Sequence, residues 1–381
     1  MKKRIVVLGA TGSIGESTMR VVRSLPEQLE IVGLSGGKNA DRLIELAREF
    51  PRAMLCAGDE ASAVRLKEEL GNREVFYGAE GLDLLASLPE ADLVLIAIVG
   101  TAGLRPALLA LESGKDLAVA SKEILVMAGE QVMAVAERNG RRVLPVDSEH
   151  NAIFQCLEGH DLSTVKRLIL TCSGGPFRKT TSASELAEIT PDQALRHPTW
   201  SMGRKISIDS ATLFNKGLEM IEAKWLFGIP MEKIDVIIHP QSIVHSMVEF
   251  VDGSILAQLG STDMALPIQY ALTYPKRLPG SCAPLDLTTL GRLDFEPPRR
   301  DLFPALDLAR RAGMAGGTLP AVLNAANEAA VEAFLSGHLS FPGIWEYVKR
   351  AMTQVAFIEH PTLEELIEAD REARIFVGDR L

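Results

Sequence analysis

Apolar runs and amphipathic stretches take turns along the first part of the chain. Runs at 4–8, 31–34, 53–56, 74–76, 92–98, 116–120 and 142–146 read as strands, and the stretches between them as helices. Strands alternating with helices imply a mainly parallel sheet and therefore an α/β domain. Beyond residue 150 the rhythm changes. A strand at 167–171 is followed by a long segment poor in apolar residues that runs to Gly203, of a length typical of lids. Within it Thr190-Pro191-Asp192-Gln193 carries a capping residue, Pro at N1 and Gln at N3. One continuous helix is expected from Ser210 to Phe227, closed by Gly228. Strands at 235–238, 243–250 and 254–258 follow, the last two joined at Asp252-Gly253, a hairpin signal. These antiparallel strands indicate a second, α+β domain. Residues 274–300 are aperiodic and rich in Pro, Gly and Arg, as a linker is. From Asp301 onward the pattern is helical, at 302–312, 320–335, 343–355 and 362–376.

The loop after the first run, Gly9-Ala10-Thr11-Gly12-Ser13-Ile14-Gly15, has G-x-x-G-x-x-G spacing. Glycines so spaced keep a strand-to-helix turn tight and let backbone amides approach a pyrophosphate at a helix N-terminus. In this context the motif predicts a dinucleotide site. The second strand runs into Ser35-Gly36-Gly37-Lys38-Asn39, with a lysine and no acid. An acid there would hold the ribose hydroxyls of NAD. The lysine instead favours the extra phosphate of NADP, the alternative being a solvated loop lysine. Residues 98–103 resemble a loop lying against a cofactor, and Ser121-Lys122-Glu123 places a lysine at another strand-to-helix junction.

The strand at 142–146 leads directly into Asp147-Ser148-Glu149-His150-Asn151. Carboxylates at the carboxyl end of such a strand lie where open α/β sheets bind ligands, and their oxygens suit Mg²⁺ or Mn²⁺. Acids at a helix start also serve simply to complement its dipole. Cys172-Ser173-Gly174-Gly175-Pro176-Phe177 offers amides and a hydroxyl to an anion, or forms an ordinary turn. His197-Pro198-Thr199-Trp200-Ser201-Met202-Gly203 gathers a histidine, an aromatic and a methionine in a loop. In the helix from Ser210, the residues Thr212, Asn215, Lys216 and Glu219 share one face. That stripe is either solvated or directed into a cleft between Leu213, Leu218, Ile221 and Trp225. In a cleft, Ser210, Asn215 and Lys216 would donate to a phosphate or hydroxyls, and Glu219 would add a hard oxygen for a metal. His239 and His245 flank Pro240-Gln241-Ser242.

Composition narrows the partners. The chain has 381 residues, 47% of them hydrophobic, and a net charge of −10 without a basic cluster. That length and apolar content support more than one domain, and the charge argues against nucleic acid or an anionic membrane as a partner. The basic start, Met1-Lys2-Lys3-Arg4, meets glycines from Gly9 onward, so it is not an export signal, and no apolar run spans a membrane. Four cysteines without metal spacing fit a cytoplasmic protein with free thiols.

Read together and in order, Gly9 to Gly15, Gly37-Lys38-Asn39, Ser121-Lys122-Glu123, Val146 to Asn151, Ser173 to Phe177, His197 to Gly203 and Asn215-Lys216-Gly217-Leu218-Glu219 resemble the 1-deoxy-D-xylulose 5-phosphate reductoisomerase family over essentially the whole chain. Ser121 stands where that family often has Asn, and Cys172 where it has a small residue. The resemblance implies an N-terminal Rossmann-like NADPH domain (1–146) and a central α+β catalytic, metal-binding and dimerisation domain with a flexible lid (147–276). A linker (277–300) and a C-terminal α-helical domain (301–381) follow, and the assembly is a homodimer. It implies cofactor contacts from Gly9, Thr11, Gly12, Ser13, Ile14, Gly15, Gly37, Lys38, Asn39, Ser121, Glu123, Met202 and Gly203. Asp147, Glu149 and Glu219 would ligate Mg²⁺ or Mn²⁺, with Co²⁺ as a substitute. Lys122, Ser148, Glu149, Ser173, His197, Ser210, Asn215, Lys216 and Glu219 would touch the substrate, and Trp200 and Met202 would cover the substrate and the nicotinamide. Lys122 and the three carboxylates would carry the catalysis, with His150 and His245 in support. The implied reaction rearranges a phosphorylated hydroxy-ketone and reduces it to 2-C-methyl-D-erythritol 4-phosphate, a step of the non-mevalonate isoprenoid pathway. Two rivals stand beside it: a semialdehyde-type NADP dehydrogenase with Cys172 as nucleophile, and a non-catalytic redox sensor, which has no use for three metal-grade carboxylates.

Overall fold

The computed structural model describes residues 2–71, 73–200 and 202–380. Ser201 of the His197 to Gly203 cluster lies outside the described residues, as does Met1 of the basic start. Two compact units form: Met1–Ile124, Glu130–Asn151 and Asp263–Ala283 make the first, and Leu125–Gly129, Ala152–Thr262 and Pro284–Leu381 the second. Among the described residues no helix is long and apolar enough to cross a membrane.

The first unit is built on a sheet of seven strands, β1 Lys3–Leu8, β2 Leu29–Ser35, β3 Met54–Ala57, β4 Val75–Tyr77, β5 Leu93–Ile96, β6 Asp116–Val119 and β7 Val143–Pro145. All pairings are parallel and the spatial order is β4-β3-β2-β1-β5-β6-β7. The strand interiors are unbroken apolar runs because helices cover both faces of a parallel sheet; Ile5, Val6, Val7 and Leu8 are fully buried. Chain order reverses at β1, whose neighbours are β2 and β5, and the crevice beyond those strand ends is where such sheets bind ligands. The segment Asp263–Ala283 returns to this unit, its helix Ala265–Thr273 packing on helix Ser13–Ser24 beside an Arg20–Asp263 ion pair.

The second unit holds a mixed sheet of β8 Val165–Cys172, β9 Ile234–Ile238, β10 Val244–Phe250 and β11 Ile255–Leu259, in the order β11-β10-β8-β9. β8 and β9 run parallel, whereas β10 is antiparallel to both β8 and β11. Helices Ala305–Ala315, Leu319–Leu335, Gly343–Gln354 and Leu363–Gly378 complete it. Phe334 and Phe341 pack edge to face with centroids 5.6 Å apart, and Phe341 lies 5.5 Å from Trp345 in the same manner.

The helix expected to be continuous from Ser210 to Phe227 is two helices, Arg204–Thr212 and Phe214–Phe227. Leu213 between them takes a left-handed conformation, φ 67°, at a cost of roughly 1–2 kcal/mol for a non-glycine residue. Its side chain is buried in the core, and that packing holds the conformation. Thr212 therefore does not share a helical stripe with Asn215, Lys216 and Glu219; it is fully buried and its hydroxyl donates to Ile208 O at 3.0 Å. The aperiodic 274–300 region also contains a short helix, Leu287–Leu290, and a bridge between Glu296 and Ile238.

Candidate active site

In the first unit, the ends of adjacent parallel strands carry Gly9 to Gly15, Gly37-Lys38-Asn39, Ser121 and Glu123 of the sequence-predicted cofactor residues, whereas Met202 and Gly203 belong to the second unit. Gly9 (φ 96°) must be glycine twice over, since a Cβ there would lie 2.5 Å from Ala97 O. At Gly15 a Cβ would meet Ala10 O at 2.2 Å, so the helix Ser13–Ser24 starts pressed against the loop that precedes it. Thr11, Gly12, Ser13 and Ile14 thus lie at the junction between β1 and this helix N-terminus, the geometry that receives an anion. The last residue of β2, Ser35, uses its Oγ to accept the Gly9 amide at 3.0 Å. A hydroxyl thus fills a position where an acid would hold ribose hydroxyls. Beyond it, Gly37 and Lys38 precede Asn39, which caps helix Ala40–Glu49 by accepting the Arg42 amide at 3.1 Å. Ser121, after β6, donates from its hydroxyl to Ile98 O and precedes Lys122 and the buried Glu123. Val99, in the loop after β5, is 82% exposed, an apolar surface left open at this edge of the sheet.

At β7 the same edge becomes acidic. Asp147 precedes helix Ser148–Leu157 and accepts the Asn151 amide with its backbone carbonyl at 2.9 Å. Its carboxylate is 2.6 Å from the Lys122 ammonium. Burial alone would raise the Asp147 carboxyl, but Lys122, with His150 adding to it, outweighs that and holds the group well below the usual carboxylate range. Ser148 Oγ donates to Glu149 Oε2 at 2.7 Å, and His150, the next residue in the same first turn, is fully buried. Asn151 was not singled out from sequence, yet its Nδ2 donates to Pro145 O and Pro267 O at 2.9 and 3.1 Å, tying β7 to the returning segment. A lone buried Asn after an acidic turn carries no signal that foretells this.

In the second unit, the small-residue loop after β8 meets the two-helix elbow at Leu213. A Cβ at Gly175 would be 2.8 Å from Ser210 O, so the Ser173 loop and the helix of Ser210 touch backbone to backbone. Ser173 Oγ accepts the Gly175 amide at 3.2 Å and lies 3.0 Å from His197 Nε2. His197 Nδ1 accepts the amides of Trp200 (2.9 Å) and Thr199 (3.3 Å), which places the ring proton on Nε2, pointing at Ser173. Both lone pairs of the Ser173 hydroxyl are then engaged, and its hydrogen is left to donate to an incoming oxygen. Burial pushes the His197 ring down to about 4, so it is neutral at physiological pH. Trp200 and Met202 are half-buried; Gly203 caps helix Arg204–Thr212.

Beyond the elbow, helix Phe214–Phe227 opens with Asn215 and Lys216. Gly217 allows close packing there, since a Cβ would meet Ala309 Cβ at 2.7 Å. Glu219, 1% exposed, accepts from Asn215 Nδ2 at 2.6 Å on one oxygen and from Lys216 Nζ on the other. Burial holds His245, on β10, toward its neutral form. Cys172 is half-buried, its thiol directed at Ile237 O at 3.8 Å.

Asp147 and Glu149 in the first unit and Glu219 in the second offer carboxylate oxygens of the kind a hard divalent cation takes, and the lysine on Asp147 keeps that carboxylate ionised. Ser173, with its hydroxyl hydrogen left to donate, and Ser210, whose backbone the Ser173 loop touches, are residue types suited to an anion.

Family models for 1-deoxy-D-xylulose 5-phosphate reductoisomerase match residues 5–129, and for its C-terminal domains residues 143–227 and 259–376. The enzyme of that name from Pelotomaculum thermopropionicum is 55% identical over 376 residues, 98% of this chain and 97% of its own. That from Geobacillus kaustophilus is 51% identical over the full length of both. The Zymomonas mobilis reductoisomerase, solved with NADPH, superposes with a TM-score of 0.94 at 44% identity, over 100% of this chain and 99% of that one. A DOX-P reductoisomerase solved with NADPH, fosmidomycin and magnesium gives 0.92 at 41%, over 99% and 98%. By sequence and by fold, the chain belongs to the 1-deoxy-D-xylulose 5-phosphate reductoisomerase family.

Proposed function

We propose that the protein rearranges and reduces 1-deoxy-D-xylulose 5-phosphate to 2-C-methyl-D-erythritol 4-phosphate, using NADPH and Mg²⁺ or Mn²⁺, with Co²⁺ as a substitute. The observation that carries this reading is a pair of solvent-shielded lysine–carboxylate contacts, Lys122–Asp147 and Lys216–Glu219, in a chain that also presents a glycine loop and an anion-type hydroxyl set. We assign Asp147, Glu149 and Glu219 as the cation's ligands. Gly9 to Gly15 and Gly37-Lys38-Asn39, with Ser121, Glu123, Met202 and Gly203, are assigned to NADPH. When bound, the cation supplies Lewis acidity toward the substrate's oxygens and NADPH supplies the hydride.

The chain's own residues bind, orient and exclude water. Skeletal rearrangement of a hydroxy-ketone builds negative charge on oxygen, and the Lys122 ammonium, already fixed by Asp147, stabilises charge developing beside it without reorganising. Ser148 orients Glu149. The Ser173 hydroxyl, aimed by His197, joins Ser210, Asn215 and Lys216 in holding the phosphate, and this grip positions the reacting end of the substrate. The segment from Phe177 to Gly203, bearing Trp200 and Met202, serves as the lid that keeps water out. His150 and His245 support the site from within the core. Residues 1–146 form the cofactor domain, 147–276 the catalytic domain and 301–381, after the linker 277–300, the helical domain. We also assign a homodimer: β11 is an edge strand whose Ile255 is 50% exposed and Leu256 40%, an apolar edge that a second copy would cover.

Purified protein with Mn²⁺, NADPH and 1-deoxy-D-xylulose 5-phosphate should lose absorbance at the nicotinamide band, and no loss with either Mg²⁺ or Mn²⁺ would overturn the assignment. Sedimentation at micromolar concentration should give twice the chain mass; a monomer would refute the dimer.

A further inference from the structure

The C-terminal region from Asp301 onward carries none of the residues assigned above, yet the Ser173 loop and the helix of Ser210 are both fastened to it. Asp209 immediately precedes Ser210 and is 1% exposed. Its Oδ1 accepts from Asn327 Nδ2 at 2.7 Å, and Oδ2 lies 2.9 Å from Lys205 Nζ. Asn327 is fully buried on helix Leu319–Leu335. Lys205 also lies 3.9 Å from Glu328 on that helix, and Glu328 is held by Arg374 at 2.8 Å from helix Leu363–Gly378. Phe177, which closes the Ser173 loop, packs edge to face on Phe341, in the turn between the second and third of the C-terminal helices, with centroids 5.3 Å apart.

A buried carboxylate is weak support for stability, because desolvation offsets much of what its partners return; its best use is to select one arrangement. Asp209 meets Asn327 only when helix Arg204–Thr212 is seated in a single axial rotation. Ser210 follows one residue later, about 100° around the same helix, so that rotation sets the direction of its hydroxyl. The network Arg374–Glu328–Lys205–Asp209–Asn327 thus links the terminal helices to one phosphate donor through polar contacts whose geometry is directional.

We propose that Asp209 and Asn327 are positioning residues for recognition of the substrate's phosphate, which makes the C-terminal helices part of the specificity machinery. This rests on the assignment of Ser210 to the phosphate. The inference concerns orientation: neither side chain touches the substrate.

The test compares 1-deoxy-D-xylulose 5-phosphate with phosphate-free 1-deoxy-D-xylulose in the full-length holoenzyme. Asn327→Leu removes the donor while keeping the branched shape and the number of side-chain heavy atoms, and Asn327→Ser, which shortens the side chain and avoids added bulk in the core, serves should the first fold poorly. Either should raise KM for the phosphorylated substrate about tenfold with kcat within about twofold, because a misdirected donor weakens binding rather than chemistry. The ratio of kcat/KM between the two substrates should fall by the same factor, with the NADPH Kd unchanged. Asp209→Asn keeps an acceptor facing Asn327 but sets an amide N–H against the Lys205 ammonium, so the ratio should fall less than in the Asn327 variants, and a larger fall would overturn the role of the Asn327 contact. Equal losses on both substrates, or a fall in kcat without a rise in KM, would mean a purely structural role and overturn the proposal. Ser210→Ala separates the two layers. If it leaves the substrate ratio unchanged, the phosphate assignment itself fails. If it changes the ratio while both Asn327 variants do not, only the positioning role is lost.

Discussion

His197 should remain neutral and act as a hydrogen-bond donor to Ser173 across the range in which an ordinary histidine titrates. With the ring pushed down to about 4 by burial, only about 3% of it is protonated at pH 5.5, against about 90% for a histidine at 6.5. The direction of the pH effect follows from that depression. The seated, neutral form is fully stabilised above the unperturbed 6.5, and this contribution is lost as pH falls from there through 4. The full shift corresponds to about 3.4 kcal/mol, but the ring is partly exposed, and solvent screening brings the realistic figure to about 1–2 kcal/mol. Nitrogen-15 NMR of labelled imidazole, titrated from pH 8 to pH 4, reads both the midpoint and the tautomer. The expected result is a proton on Nε2, with Nδ1 accepting from Trp200 and Thr199, and a midpoint below 5. In parallel, His197→Gln should raise KM for the phosphorylated substrate about tenfold, the worth of one hydrogen bond to a positioned group, and leave the NADPH Kd unchanged. A midpoint at or above 6, or a proton on Nδ1, would refute the argument, since it would mean that the backbone amides do not hold the ring as described.

Three further changes test other parts of the site. Glu219→Gln keeps the shape of the side chain but removes its charge, so metal activation should shift to at least about tenfold higher Mn²⁺ while NADPH binding is spared; equal metal dependence in mutant and parent would remove Glu219 from the ligand set. Gly15→Ala puts a Cβ 2.2 Å from Ala10 O, and the forced backbone shift, costing about 1–3 kcal/mol, should weaken NADPH binding by about tenfold or more in a protein whose circular dichroism is unchanged. Cys172→Ser should retain near-normal NADPH oxidation, because the thiol faces the backbone carbonyl of Ile237; abolished activity would revive a nucleophilic cysteine.

Much of the fold was legible because it is written in local periodicity. The continuous apolar runs of β1, β2, β5 and β6 are the signature of strands covered on both faces, and Asp252-Gly253 marked the turn between β10 and β11. The capping pattern at Thr190 to Gln193 also formed as expected, with Gln193 Oε1 accepting the Thr190 amide at 2.9 Å. The glycines of the first loop announced themselves because only glycine tolerates a neighbouring backbone so close. The acids at 147 and 149, the Ser173 loop and the Asn215-Lys216-Glu219 run were visible as chemistry in search of a setting.

By itself, then, the sequence determined the parallel sheet, the glycine turn and the residue types available for a cation and an anion, because backbone hydrogen bonding and burial repeat with short periods. Tertiary structure alone decided how those residues are presented. Leu213 lacks every usual mark of a break, and its left-handed φ exists because the core takes its side chain there. Asp209 looks like any surface acid until Asn327, 118 residues away, arrives to satisfy it. The Ser173 hydroxyl has a defined direction only once His197 folds back on it and two backbone amides fix the ring. Such pairings depend on chain closure over long separations, where no local pattern sets the partner.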